Sequence, residues 1–115
     1  MYSQPRFLQG VFAFEGRGLN QPFALDPSLS YVVPPGKRAQ LTYFRGGNAT
    51  GELISVVLLR DGDPMRYFPL GAKADSHVTL AVVEDLEAGT RLEVHLAAPG
   101  GLVGTVVVDI GLVEI

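Results

Sequence analysis

The sequence contains no cysteine and no tryptophan, and only 18% of its 115 residues are charged. The lack of cysteine excludes disulfide bonds, thiolate metal sites, iron-sulfur ligation and cysteine nucleophiles. The lack of tryptophan removes the side chain on which sugar-binding sandwiches most often stack pyranose rings, which argues against carbohydrate binding. These absences narrow the possible functions before any motif is considered.

Charge is sparse and slightly acidic overall, with a net charge of -3, an isoelectric point of about 5.2 and a mean hydropathy of +0.24. The longest basic cluster is Lys37-Arg38, which provides no electrostatic footprint for a phosphate backbone, so we expect no nucleic-acid partner. No apolar stretch approaches the roughly 18 residues of a membrane helix, and the first ten residues lack the pattern of a secretion signal. We therefore expect a cytoplasmic protein with no membrane partner.

Glycine and proline, 14 and 8 residues respectively, fall between short apolar runs, as expected for strands joined by turns. In residues 91–97, "RLEVHLA", apolar and polar residues alternate with a period of two, which is typical of a half-buried strand. No segment has sustained helical periodicity. The pattern predicts nine strands, at Phe7–Phe14, Gln21–Leu25, Leu29–Val33, Arg38–Arg45, Leu53–Arg60, Met65–Leu70, His77–Glu84, Arg91–Ala97 and Val103–Ile115.

Glycine inside the last strand predicts a bend or bulge at Gly111. We expect turns at Pro34-Pro35-Gly36, Gly46-Gly47-Asn48, Asp61-Gly62-Asp63-Pro64 and Pro99-Gly100-Gly101, and one short helical turn within residues 84–90. About eight or nine strands at this spacing predict an all-β fold, a single-domain antiparallel β-sandwich of jelly-roll type over residues 1–115. The runs "ISVVLL" and "VGTVVV" are apolar on both faces, so we expect central strands whose second face another subunit covers.

Several motifs fail when their spacing is examined. "GGNATGEL" spaces two glycines like a phosphate-binding loop, but Glu52 stands where lysine would contact phosphate, so we expect a hairpin turn there. His77 and His95 would not face each other if their strands formed a hairpin, and consecutive Asp75-Ser76-His77 cannot converge as a triad does. We therefore predict no catalytic residues, no metal site and no cofactor.

Two segments set Tyr-Phe beside arginine, "TYFRGGN" and "MRYFPLGAK". Neighbouring residues of a strand face opposite sides, so one ring of each pair should point outward, with Phe68 on the core side and Tyr67 outside. Exposed tyrosine and arginine are enriched both in protein interfaces and in carbohydrate-binding platforms. Our interface or ligand-binding candidates are accordingly Tyr43, Arg45, Arg66 and Tyr67.

The segments "KRAQLTYFRGGN", "VVLLRDGDPMRYFPLGAKADSHV" and "GTVVVDIGLVEI" together resemble a group of small bacterial proteins labelled as molybdopterin-oxidoreductase-associated. The resemblance covers most of the chain from Lys37 onward and brings no catalytic motif with it. It implies a small accessory or assembly subunit of a larger redox enzyme.

Three functional hypotheses follow. The first is a non-catalytic β-sandwich that acts through protein-protein association, as a homo-oligomer and as part of a larger assembly. The second is a module that binds a carbohydrate or another small polar ligand through Tyr43, Tyr67 and nearby arginines. The third, an accessory subunit of a molybdopterin-type oxidoreductase, rests on the resemblance alone.

Overall fold

The computed structural model describes residues 3–81 and 83–115, which form ten β-strands and one short 3-10 helix. The strands are β1 Gln4–Glu15, β2 Gly18–Ala24, β3 Ser30–Val32, β4 Ala39–Asn48, β5 Ile54–Arg60, β6 Asp63–Leu70, β7 Asp75–Thr79, β8 Asp85–Leu86, β9 Arg91–Ala98 and β10 Val103–Glu114; the 3-10 helix is Pro27–Leu29. Each of the nine expected strands overlaps one of these. Val82, assigned above to the strand His77–Glu84, lies outside the described residues.

The strands form two antiparallel sheets that face each other as a sandwich. Sheet A has the order β1-β10-β4-β7, with β8 also paired to β4, and sheet B has the order β2-β9-β5-β6, with β3 also paired to β9. When the short strands β3 and β8 are left out and the remaining eight strands are renumbered 1 to 8 along the chain, sheet A has the order 1-8-3-6 and sheet B the order 2-7-4-5. This is the jelly-roll arrangement. The predicted fold class is confirmed.

Alternation of apolar and polar residues explains which face of each strand enters the core. In β4, Phe44 is fully buried while Tyr43 and Arg45 on either side point outward; in β6, Phe68 is 7% exposed and Tyr67 64% exposed. Phe44 and Phe68 stack across the sandwich with ring centroids 4.1 Å apart and planes 2° apart. The predicted division of both aromatic pairs is therefore correct, because strand geometry alone determines it.

The turn predicted at residues 61–64 forms at its first two residues, because β6 already begins at Asp63. Asp61 and Gly62 have φ of 51° and 86° and join β5 to β6, where Arg60 pairs with Asp63. This two-residue turn with positive φ at both positions suits the right-handed twist of the flanking strands. The register of β10 against β4 shifts between Gly111 and Leu112, the predicted position, but the extra residue is Thr42 of β4, so the bulge belongs to the partner strand and not to β10.

Other local predictions are wrong. Gly46-Gly47-Asn48 is not a turn but the end of β4, and the following segment crosses from sheet A to sheet B instead of closing a hairpin. The expected helical turn in residues 84–90 is replaced by β8 and a turn. In both places pairing partners distant in sequence outweighed local turn preference.

The two doubly apolar strands are central, as expected, but they differ in their outer faces. β5 lies between β6 and β9 and buries Val57 to 1% exposure on its outer side. β10 lies between β1 and β4 and leaves Val103 and Val107 exposed on its outer side. No helix within residues 3–81 and 83–115 has the length and apolar character needed to cross a bilayer.

Candidate functional site

The outer face of sheet A brings polar, aromatic and glycine residues together in three adjacent cross-strand rows. From β1 to β7 these rows are Phe7, Gly111, Tyr43, Thr79; then Gln9, Asp109, Arg45, His77; then Val11, Val107, Gly47, Asp75. Side chains of residues paired across antiparallel strands point to the same face, so these rows are neighbours on one surface. The surface is built from all four long strands of sheet A.

Tyr43 lies across this surface over the neighbouring strand. A Cβ atom added at Gly111 would stand only 2.0 Å from Cε2 of the tyrosine ring, so the ring occupies the space that a side chain at position 111 would fill. The ring edge of His77 stands against Tyr43 from the opposite side, with centroids 6.3 Å apart and planes at 86°. The ring of Tyr43 is thus held in place between Gly111 and His77.

Asp109 is the polar centre of the surface. Its Oδ1 accepts a hydrogen bond of 2.9 Å from the Tyr43 hydroxyl, and its Oδ2 lies 3.8 Å from Nη1 of Arg45. Partial burial and the bond to this carboxylate both raise the pKa of Tyr43 above its ordinary value, so the phenol keeps its proton. The Arg45 side chain is well exposed, and its contact with Asp109 is longer than a hydrogen bond.

A groove of about 460 Å³ opens beside Asp109 on this face. Its lining residues are Arg45, Gly46, Gly47, Asp75, Ser76, His77, Val107 and Asp109. Gly47 forms the floor because it carries no side chain between Val107 and Asp75 in its row. An adjoining depression of about 290 Å³ shares Gly47, Asp75 and Val107 and extends to Lys73 and Thr105. The two form one elongated groove along β4.

The far end of this groove is supported by the buried side chain of Asn48. Its amide nitrogen donates to the carbonyls of Glu52, Leu70 and Gly71, and its Oδ1 accepts from the backbone and hydroxyl of Thr50. Every hydrogen-bonding position of the amide is thus used. This asparagine ties the crossover after β4 to the loop that carries Lys73, and so positions the loop at the groove.

The four candidate residues do not form one site. Tyr43 and Arg45 lie on the outer face of sheet A, whereas Tyr67 lies on the outer face of sheet B, opposite Val57. Arg66 is half-buried at the side of the sandwich, where Nη2 contacts Glu84 at 2.8 Å. Arg66 lies on the same side of β6 as Phe68, and near the beginning of the strand its side chain extends to Glu84.

The two histidines are also separated. His77 lies on the outer face of sheet A, and His95 pairs with Val57 and Ala24 in sheet B. Strands β7 and β9 belong to different sheets, so the hairpin considered for them does not form. Within residues 3–81 and 83–115, no group of three or more His, Cys, Asp or Glu side chains could hold a metal ion.

Asp109, His77 and Gly47 were missed as parts of a common site. The one available signal was Asp109, a single charge inside the apolar run "VVVDIGLV". An acid in such a run must point to the uncovered face of its strand or find a partner. The partners, however, come from a strand more than sixty residues away, as the 66-residue separation of Tyr43 and Asp109 illustrates.

No family model matches this chain, and no curated protein matches it in sequence. Among solved structures, the chain is similar to the CBM36-1 domain of a multidomain xylanase from the hindgut metagenome of Trinervitermes trinervoides. The TM-score is 0.58, the sequence identity is 13%, and the match covers 96% of each chain. At this identity the similarity establishes the β-sandwich fold alone. The resemblance to molybdopterin-oxidoreductase-associated proteins stays a prediction.

Proposed function

We propose that this protein is a non-catalytic binding module for a carbohydrate, which it holds in the groove on the outer face of sheet A. The observation that carries the proposal is the groove itself, with Gly47 as its floor and Tyr43, held over Gly111, donating to Asp109 at one end. Of the three hypotheses drawn from the sequence, this one has a specific arrangement of side chains in its support.

The chemistry of the groove suits a ligand rich in hydroxyl groups. Asp75 and Asp109 are acceptors, Arg45 and Lys73 are donors, and the set carries two formal charges of each sign. Hydroxyl groups can donate to the carboxylates and accept from the cations, and a hydrogen bond to a charged group is stronger than one between neutral groups. A strongly charged ligand would be attracted by the two side chains of opposite charge but repelled by the two of like charge.

The shape of the groove suits a linear chain of sugars. From Arg45 to Ala49 the groove follows four residues of backbone, or about 13 Å at the usual rise of a strand. In the row beyond Asp109 the Tyr43 ring lies over Gly111 and the exposed Phe7 pairs with Gly111 from β1, so an apolar sugar face can rest on the rings next to the groove. Similarity to a domain named as a carbohydrate-binding module adds support from the fold.

The decisive variant is Gly47→Val. A Cβ atom at Gly47 would meet Val107 at 3.7 Å, an ordinary contact, and φ at this glycine is not positive, so the fold accepts a side chain there. Valine also favours strands, and we expect unchanged or slightly higher stability. The isopropyl group fills the groove floor, so we expect loss of glycan binding.

Binding should first be sought on an array of linear and branched glycans that includes xylo-oligosaccharides. Isothermal titration calorimetry then compares the best glycan with the wild type, Gly47→Val and Asp109→Asn. Gly51→Val is the matched control, because Gly51 is exposed with nothing within 4 Å of its Cβ position. Tyr67→Ala is the control for an exposed tyrosine on the other sheet.

We expect Gly47→Val to lower affinity at least about tenfold, equivalent to about 1.4 kcal/mol, while both controls bind like the wild type. Absence of any glycan bound by the wild type contradicts carbohydrate binding. Binding that survives Gly47→Val but is lost in Tyr67→Ala contradicts the site and moves it to sheet B.

A further inference from the structure

We propose that two copies of this chain associate through strand β1, whose free edges pair antiparallel and join the two copies of sheet A into one continuous sheet. In the described part of the chain β1 pairs with β10 along all twelve residues and with no strand on its other side. Its outward backbone groups therefore pair with no strand of the described residues over a length of about 40 Å, at about 3.4 Å per residue, although the 3-10 helix also lies close to β1.

The other three edges of the sandwich carry features that prevent such pairing. The edge strand β6 contains Pro64 and Pro69 and is interrupted by a bulge. The edge formed by β7 and β8 consists of strands of five and two residues. The edge formed by β2 and β3 is broken by the 3-10 helix and by a register shift after Gly18. Prolines, bulges and short strands are the usual means by which proteins blunt an edge.

Strand β1 has none of these features in its central part. Its register with β10 is continuous, and residues 7–14, "FLQGVFAF", contain neither proline nor charge. Phe7 and Val11 are exposed on its outer face beside Val107 and Val103 of β10. The central part of this edge is thus uncharged and regular, and antiparallel pairing would satisfy its outward backbone groups while the outer face of sheet A stays open.

A second copy of the chain is the partner that the strand itself fits. The only charges of β1 are Arg6 near its beginning and Glu15 at its end. Antiparallel self-pairing brings the Arg6 end of each copy to the Glu15 end of the other, so the adjoining strand ends carry opposite charge, although the two side chains lie on opposite faces of the strand; parallel pairing would set each charge beside its own copy. Arg6 also binds Glu114 through Nε, yet about half of its side chain is exposed and accessible to a partner.

The symmetry of this pairing determines the relative orientation of the outer faces of sheet A in the two copies. An antiparallel pair of identical strands is isologous, with a two-fold axis perpendicular to the sheet. Both outer faces of sheet A then point to the same side. If the groove binds glycan as proposed above, the dimer presents two parallel binding sites to one polysaccharide surface, which raises avidity without new contacts. The dimer itself does not depend on that function.

Sedimentation velocity across concentrations up to the high micromolar range tests the dimer without any ligand. Val11 is 67% exposed, so Val11→Lys should leave the monomer folded while placing two lysines close to the symmetry axis. Like charges facing each other across strands are destabilising, and we expect the dimer Kd to rise about tenfold or more. Val32→Lys, at an exposed valine of β3 in sheet B, is the matched control.

Cysteine cross-linking locates the axis, because the natural sequence has no cysteine to interfere. Gln9→Cys, Val11→Cys and Ala13→Cys sample the outer face of β1, and Thr79→Cys on β7 is the control. A disulfide forms readily only when the Cα atoms lie about 4.4–6.8 Å apart. We expect the one position closest to the two-fold axis to cross-link efficiently, because residues further along the strand lie about 13 Å or more from their own copies, and the control to stay monomeric.

A wild type that stays monomeric at high micromolar concentration overturns the proposal. So does a dimer that is insensitive to Val11→Lys and gives no cross-link from β1, since its interface must lie elsewhere. A concentration-dependent dimer that is weakened by Val11→Lys, unaffected by Val32→Lys and cross-linked from β1 supports it.

Discussion

The ring of Tyr43, on strand β4, occupies the space above Gly111 on the neighbouring strand β10. This arrangement directs the hydroxyl to Asp109, to which it donates a hydrogen bond. A glycine at position 111 is required for this, since any other residue would collide with the ring.

Gly111→Ala should therefore displace the Tyr43 ring and break its hydrogen bond to Asp109. Because the ring is the far end of a flexible side chain, we expect little change in stability but a fall in the pKa of Tyr43 toward about 10. NMR titration with tyrosine labelled at Cζ measures this directly. Gly51→Ala is the control, and an unchanged Tyr43 titration would show that the ring does not depend on Gly111.

Phe68 and Tyr67 are sequence neighbours with opposite environments, and their alanine variants should differ sharply. Phe68 stacks on Phe44 inside the sandwich, so Phe68→Ala should lower the free energy of unfolding by about 3–5 kcal/mol. Tyr67 is outward and contacts mainly its cross-strand neighbours, so Tyr67→Ala should cost less than about 1 kcal/mol. Urea unfolding measures both, and equal losses would contradict the assignment of faces in β6.

Glu114 is buried, and it accepts hydrogen bonds from the Tyr31 hydroxyl and from Arg6. The bond from Tyr31, followed by the contact with Arg6, holds the pKa of this carboxyl below its usual range despite the opposing effect of burial. A group whose pKa is lower in the folded than in the unfolded chain stabilises the fold above its unfolded pKa, about 4.3 for glutamate, and that contribution is lost as pH falls through the folded value.

We therefore expect the stability advantage of the wild type over Glu114→Gln to be complete at neutral pH and to shrink below about pH 4. Urea unfolding at a series of pH values between neutral and acid checks this, with exposed Glu87→Gln as the control. A difference between wild type and Glu114→Gln that stays constant across the series would exclude ionisation of Glu114 as the source of the stability.

Much of the local structure could be predicted because the alternation of apolar and polar residues in a strand is visible in consecutive positions of the sequence. Alternation located nine of the ten strands, missing only the two-residue β8, and assigned Tyr67 outward and Phe68 to the core correctly. The predicted turn at Gly46-Gly47-Asn48 failed for a reason that is not local. These residues pair with β7 and β10, and Asn48 finds its hydrogen bonds in loops up to 23 residues away.

Only part of the candidate site could be predicted from alternation and surface patterns. Tyr43 and Arg45 were found because tyrosine beside arginine is a recognisable surface pattern, but the same pattern at Arg66 and Tyr67 lies on different parts of the molecule. Asp109 and Gly111 join Tyr43 through the pairing of β10 with β4, which no local pattern specifies.

By itself, then, the sequence determined the class of fold, the strands and the side of each strand that faces the core, because burial of alternate side chains is a property of consecutive residues. Which strands became neighbours, which edge stayed open at β1, and which polar residues met beside Gly47 were decided by the tertiary structure. These depend on how two sheets close around one core, and that packing involves residues from the whole chain at once.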